Sequence, residues 1–164
     1  MKHALTAAIA LCVAGAVSAE PKFDAAIGAA ISNAKANRIV GLWSARVDVG
    51  PCAGGPRREL VSQNLFNAGG TLTDIGSVPP TERSVAFGVW AFDPTEETYS
   101  IRMQFYRFLP TGAFDGVNDI RRETILSADG NSSTEAVNVR VLNLDGSLRV
   151  ELCGTSVGTR VPLD

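Results

Sequence analysis

Residue types able to do chemistry are few in this chain of 164 residues. Histidine occurs once, as His3, and cysteine three times, as Cys12, Cys52 and Cys153. His3 and Cys12 both fall in a stretch with the anatomy of a removable leader, so the chain beyond it carries no imidazole and two thiols. On that reading Ser-His-Asp and Cys-His catalysis, histidine-ligated zinc and histidine-ligated haem are excluded. Cys52 and Cys153 have no Cys-x-x-Cys spacing and no surrounding ligand set, and in an exported chain such a pair reads as a disulfide. Closing a loop of about a hundred residues, it contributes ~4 to 5 kcal/mol in the chain-entropy model. No metal and no cofactor is called for, and Val157-Gly158-Thr159 and similar pieces lack the spacing of a phosphate loop.

Carboxylates, guanidiniums and two tyrosines remain for proton chemistry. Asp119 or Glu123, turned inward near Tyr99 or Tyr106, could move a proton in a dry cavity. The competing reading sets Arg102, Arg107, Asp119, Arg121, Arg122, Glu123, Glu135 and Arg140 on the solvated outer face of three adjacent strands, where opposite charges pair across the sheet. Spacing singles out no catalytic residue.

The elements that must position these groups begin after the leader. Lys2 and His3 precede an apolar run from Ala4 to Ala16, and Val17-Ser18-Ala19 supplies small residues before Glu20, the pattern of a secretory signal peptide cleaved after Ala19. A lipid anchor on Cys12 is disfavoured by the bulky Leu11 before it. The organisation read from the sequence is a signal peptide over 1–19, an N-terminal helix within 20–38 and a barrel domain over 39–164. About 145 residues after cleavage suit one core that buries about two-thirds of its unfolded surface. A secreted or periplasmic location follows from the leader. No later stretch approaches the ~18 apolar residues of a membrane span. The net charge of −2, one unit more negative without Lys2, argues against nucleic acid or an anionic membrane as the main partner.

Phe23, Ala26, Ile27, Ala30, Ile31 and Ala34 recur at helical spacing, predicting a short helix that ends near Arg38. From Ile39 the period is two: Ile39, Gly41, Trp43, Ala45, Val47 and Val49 share one face. Seven further strand-like runs follow, over 59–68, 71–75, 83–92, 97–109, 115–127, 133–144 and 147–161. They are separated by Gly69-Gly70, Pro79-Pro80, Asp93-Pro94, Pro110-Thr111-Gly112, Asp129-Gly130 and Asp145-Gly146, and Asp-Gly between alternating runs is a strong hairpin signal. Eight strands with short links predict an all-β, antiparallel up-and-down barrel closed by pairing the first strand with the last. Setting Cys52 against Cys153 places Trp43 opposite residue 162 with Arg160 on the diagonal. Leu148, Val150, Leu152 and Arg160 then face inward, provided no bulge at Gly154 or Gly158 changes the phase.

A short helix, Gly41-Leu42-Trp43 opening the first strand, eight meandering strands and a late Arg160 together resemble the lipocalin or wider calycin group. The resemblance implies that Trp43 closes the barrel floor while Arg160 lies across its indole face. It covers the chain beyond the leader in outline and is specific at three residues, Gly41, Trp43 and Arg160.

Phe66, Phe87, Val89, Tyr99, Ile101, Met103, Phe105, Val139 and Val141 alternate with polar residues and either fill the interior or line a ligand cavity. Three functions follow from this outline. The first is binding of a small apolar ligand. The second is a protein-interaction barrel, an inhibitor or an envelope assembly partner, acting through the segment before the first strand, the Pro51–Pro56 loop or the Val78–Thr81 loop. The third is a histidine-free barrel enzyme of cyclase or isomerase type. Oligomeric state is not legible in the sequence.

Overall fold

The computed structural model describes residues 34–162. The signal peptide and residues 20–33 of the predicted helix lie outside the described residues. Inside them, the last part of that segment is a turn followed by a 3₁₀ helix, Ala36–Ile39, so Ile39 precedes the first strand. Eight strands follow: β1 (Gly41–Pro51), β2 (Arg58–Asn67), β3 (Thr71–Gly76), β4 (Ala86–Asp93), β5 (Thr98–Phe108), β6 (Phe114–Leu126), β7 (Ser132–Leu142) and β8 (Leu148–Arg160). Each pairs antiparallel with the next and β8 pairs with β1, which closes the barrel. Closure gives each of these eight strands two neighbours, so none of their edges is left open for pairing with another chain.

The β1/β8 seam sets the shape of the whole. Trp43 lies directly opposite Arg160, and Gly50 lies opposite Cys153. Every pair is therefore shifted by two residues from the register that would set Cys52 against Cys153. Cys52 instead donates its backbone N–H to Glu151 at 3.0 Å, and the Cys52–Cys153 disulfide crosses the seam diagonally with the Cα atoms 4.9 Å apart. The shift moves Arg160 from the diagonal to a direct place over the indole, its guanidinium carbon 4.5 Å from the ring centroid. Leu148 is exposed and not inward, because the register of β7 against β8 slips between Val141 and Leu142.

One end of the barrel is shut. The Trp43 Nε1–H donates to the Ile39 carbonyl at 2.8 Å. Arg160 donates to the carbonyls of Val40 at 2.7 Å, Gly130 at 3.1 Å, and Arg38. One guanidinium thus ties the end of β8 to the 3₁₀ segment and to the β6–β7 turn. Gly41 is required beneath it: its φ is +132°, and a Cβ there would stand 2.7 Å from Arg160 Nη1. Above this floor Phe66, Leu72, Trp90, Tyr99 and Ile101 fill the interior together with Ile39. The two polar tips in that layer are satisfied: Trp90 Nε1–H by the carbonyls of Asn67 and Thr71 at 3.2 and 3.1 Å, Tyr99 O–H by the Lys35 carbonyl at 2.9 Å.

Phe87 and Val89 depart from the expected lining. Ala86 and Trp90 are buried, which fixes the even-numbered positions of β4 inward. Phe87 stands 70% exposed on the outer face, and Val89 shares that face.

Trp43→Ala is expected to cost ~3 to 5 kcal/mol, as a large core truncation that also strips Arg160 of its ring. Urea unfolding of the oxidised protein measures it. A loss below ~1 kcal/mol would rule out Trp43 as the structural plug of the closed end.

Candidate functional site

The other end is open. Where the floor half carries Trp43, Phe66, Trp90 and Tyr99 inward, the mouth half carries Val47, Val49, Leu60, Val137, Val139 and Leu152, and shorter side chains leave room. A cavity of about 440 Å³ results, walled by these residues with Phe105 and Ile120. The rim is formed by the loops after β1, β3 and β5, which the up-and-down order brings to the end opposite Trp43. Beneath the cavity, toward Trp43, lies a void of about 10 Å³, at the limit of one water.

The floor of the cavity is charged. Leu72 faces inward on β3, so alternation brings Asp74 and Gly76 inward as well; Ile120 on β6 does the same for Arg122, and Val137 on β7 for Glu135. Asp74, Arg122 and Glu135 are all buried. Arg122 Nη1 donates to Asn64 Oδ1 at 3.1 Å and to Glu135 Oε2 at 3.2 Å, while its Nη2 lies 3.8 Å from Asp74 Oδ2. The second cation comes from the loop after β3. Arg83 reaches back into the barrel, donates to Asp74 Oδ1 at 2.8 Å and to the Ser84 carbonyl at 3.1 Å, and lays its guanidinium carbon 4.1 Å from the Phe105 centroid. Gly76 makes this path possible, since a Cβ there would collide with Arg83 Nη1. Two guanidiniums and two carboxylates balance to zero net charge, which is the condition on which four buried ions persist in a low-dielectric interior.

Around the rim the ions are wetter. Asp115 accepts from Arg149 at 2.9 Å and lies 3.3 Å from Arg107. The Arg149 hydrogen bond holds the Asp115 carboxyl below its ordinary value, against the opposing effect of burial. Burial lowers Arg107, which donates to the Leu142 carbonyl at 3.0 Å.

Several sequence expectations are corrected at this point. Arg122 and Glu135 lie inside the barrel and not on a solvated outer face, because they share the parity of Ile120 and Val137. Asp119 is outward, covered by Arg102, which grips both its oxygens at 3.0 and 3.1 Å. Burial raises the Asp119 carboxyl, but the Arg102 hydrogen bonds and charge outweigh it and leave it below its ordinary value. Glu123 is exposed and accepts from Ser100 at 3.0 Å. Tyr99 is turned to the closed end, where burial raises its phenol, and Tyr106 is exposed against Phe114. Among the described residues no acid is brought to a tyrosine inside the barrel. Of the residues expected to line an interior, Phe105 and Val139 line the cavity and Phe66 borders the small void beneath. Tyr99, Ile101, Met103 and Val141 belong to the packed core. Sequence reasoning missed Asn64, Asp74 and Arg83. The parity of Phe66 and Leu72 carries the signal for the first two; Arg83 lies in a loop and has no such signal.

The cavity offers permanent cations, carboxylate and amide acceptors and apolar walls, and among the described residues no Tyr, Lys, His or Cys lines it. Among those residues, too, no three His, Cys, Asp or Glu converge as a metal-ligand set. None of the described helices is long and apolar enough to cross a membrane.

No family model matches the chain, and no curated protein matches it in a sequence search. Among solved structures it is similar to the crystal structure of Rv2717c from M. tuberculosis, with 13% identity and a TM-score of 0.42, over 76% of this chain and 94% of that one.

Arg122→Met leaves Asp74 and Glu135 with one cation between them and is expected to cost ~3 to 5 kcal/mol in chemical unfolding. Arg122→Met with Glu135→Met restores the balance by leaving Arg83 paired to Asp74, and should cost less than the single change. A double variant weaker than the single one would contradict a charge-balanced floor.

Proposed function

We propose that this chain is an exported barrel that binds a small apolar ligand in the open half of its interior. The observation that carries the reading is the cavity of about 440 Å³ at the end opposite Trp43, within the range of small-molecule sites, with apolar walls from Val47, Val49, Leu60, Phe105, Val139 and Leu152 beside a charged floor and rim. On the order of fifteen non-hydrogen atoms fit, taking ~30 Å³ for each water-sized unit. Export rests on the leader pattern and agrees with the Cys52–Cys153 bridge, which suits an oxidising compartment such as the periplasm or the exterior. Kinship with the lipocalin and calycin group is part of the proposal, supported by Gly41, Trp43 and Arg160 occupying one contact.

Binding is favoured over catalysis by the inventory of the cavity. Asp74 stands beside an open apolar space, as a histidine-free enzyme would require, and a proton acceptor is therefore present. That carboxylate is held by Arg83 at 2.8 Å and lies against Arg122 at 3.8 Å, and guanidiniums do not give up a proton in proteins.

The neutral fluorophore 1-aminoanthracene, of matching size, tests the reading. Saturable one-to-one binding with enhanced emission is expected, weakened at least tenfold by Val139→Trp, whose ring projects into the cavity, at unchanged thermal stability. Absence of saturable binding, or equal binding to the Val139→Trp protein, would overturn it.

A further inference from the structure

We infer that the open end of the barrel docks mouth-down on an electrically neutral lipid surface, one of phosphatidylcholine headgroups being the simplest case, so that the cavity opens toward the acyl chains. The inference is drawn from the outer wall and the turns of the mouth, and it goes beyond the ligand-binding reading without depending on it.

An apolar row runs around the outside of the mouth. Across β5 to β8 the register sets Tyr106 beside Val117, Val117 beside Leu142 and Leu142 beside Leu148. Val85 carries the row past β5, because the Ser84 N–H donates to the Tyr106 carbonyl at 2.9 Å, and Ile75 follows on β3, one place beyond the Asp74–Ala86 pair. Val117 and Leu142 are half-buried, and the other four are exposed. Phe114 adds an edge-on ring 5.6 Å from that of Tyr106. Beyond the row, Leu109 and Leu144 stand exposed in the β5–β6 and β7–β8 turns. Single exposed apolar residues are ordinary, but a contiguous band of them marks a surface that meets a partner.

Shape and charge select the occupant. The row follows the wall from β3 to β8, more than half of the way around, whereas a second copy of the barrel would touch it along one side only. A fluid interface into which the end sinks covers it all. The band is also shallow. The next outward row carries Asp119, Arg140 and Glu151, which leaves roughly 10 Å to the tips of the turns at ~3.4 Å per residue. That matches the ~5 to 10 Å to which apolar faces enter a bilayer interface, and it falls far short of the ~25 Å band of a barrel that spans one. As for charge, the turn segments 52–56, 77–81 and 109–113 contain no ionised residue, and 143–147 contains one, Asp145, which accepts from the Ser147 hydroxyl and N–H at 2.6 and 2.9 Å. Behind them Arg57 pairs with Asp48, Asp115 pairs with Arg107 and Arg149, and Arg58 stands with Glu59 and Glu82. No excess of positive charge calls for an anionic lipid. The closed end is unlike the mouth, with Asp93, Glu96, Glu97 and Asp129 in or beside its turns.

Flotation of the exported protein with phosphatidylcholine vesicles reads the docking directly. Saturable association is expected, unchanged when salt is raised from ~0.1 to ~0.5 M, a change that screens ionic contacts. Leu109→Glu with Leu144→Glu, at two exposed turn positions, is expected to weaken it at least tenfold at unchanged thermal stability. Ile125→Glu, at a comparably exposed apolar position near the closed end, is expected to leave it within about twofold. Failure to float, as when a second copy or residues 20–33 cover the row, would overturn the docking. So would association that salt abolishes, that survives both turn substitutions, or that Ile125→Glu weakens equally. Binding of 1-aminoanthracene by a protein that does not float would leave the ligand reading standing alone.

Discussion

The contact between Arg160 and Trp43 is the constraint on which the rest of the structure depends. A cation over an indole is worth ~0.5 to 2 kcal/mol, depending on how far it is desolvated, but its position matters more than its energy. Trp43 opens β1, Arg160 ends β8, and their stacking holds together the two strands that lie farthest apart in sequence. The same guanidinium is partly desolvated, which lowers its pKa, and it gains carbonyl partners in the 3₁₀ segment and the β6–β7 turn. The seam is then fixed a second time at the other rim by the Cys52–Cys153 bridge. With both ends of one strand pair held, the register of the remaining ladder follows around the barrel.

That double fixing explains why the interior can differ so sharply between its ends. Near Arg160 the inward positions hold the large rings of Trp43, Phe66, Trp90 and Tyr99, and the space is full. Toward the disulfide they hold valines, leucines and serines, and the space is open. Between the two lies the Arg83–Asp74–Arg122–Glu135 layer, a poor choice for stability alone, since apolar residues of similar volume serve a core at least as well. It stands at the boundary of packed and open space. Arg83 adds a further link: the loop after β3 is held to the cavity floor through a side chain that runs over Gly76 and stacks on Phe105.

Much of this architecture is legible in the amino-acid sequence. Alternation along Trp43, Ala45, Val47 and Val49, and the Asp-Gly turns at 129–130 and 145–146, suffice for eight antiparallel strands, and the closed end is what the resemblance carried by Gly41, Trp43 and Arg160 implies. The register is not legible, because a disulfide can bridge diagonal as well as opposed positions, and the two cysteines therefore leave a slip of two residues open. Alternation misplaces β4 because Phe87 and Val89 are as apolar as Trp90, so the strand has no contrast between its faces. The charged floor escapes for a physical reason of wider reach. Arginine and glutamate are normally solvated, and that expectation outweighs the parity of Ile120 and Val137, which carries Arg122 and Glu135 inward. Arg83 cannot be found by periodicity at all, since it enters the barrel from a loop.

The central claim is that one half of this barrel is packed and the other hollow and apolar-walled. Diffraction from crystals of the protein under xenon pressure tests it most directly, because xenon settles in apolar cavities without needing a chosen ligand. The account predicts xenon among Val47, Val139 and Leu152, and none between Trp43 and Phe66. A mouth half in which those walls meet and take up no xenon would contradict it.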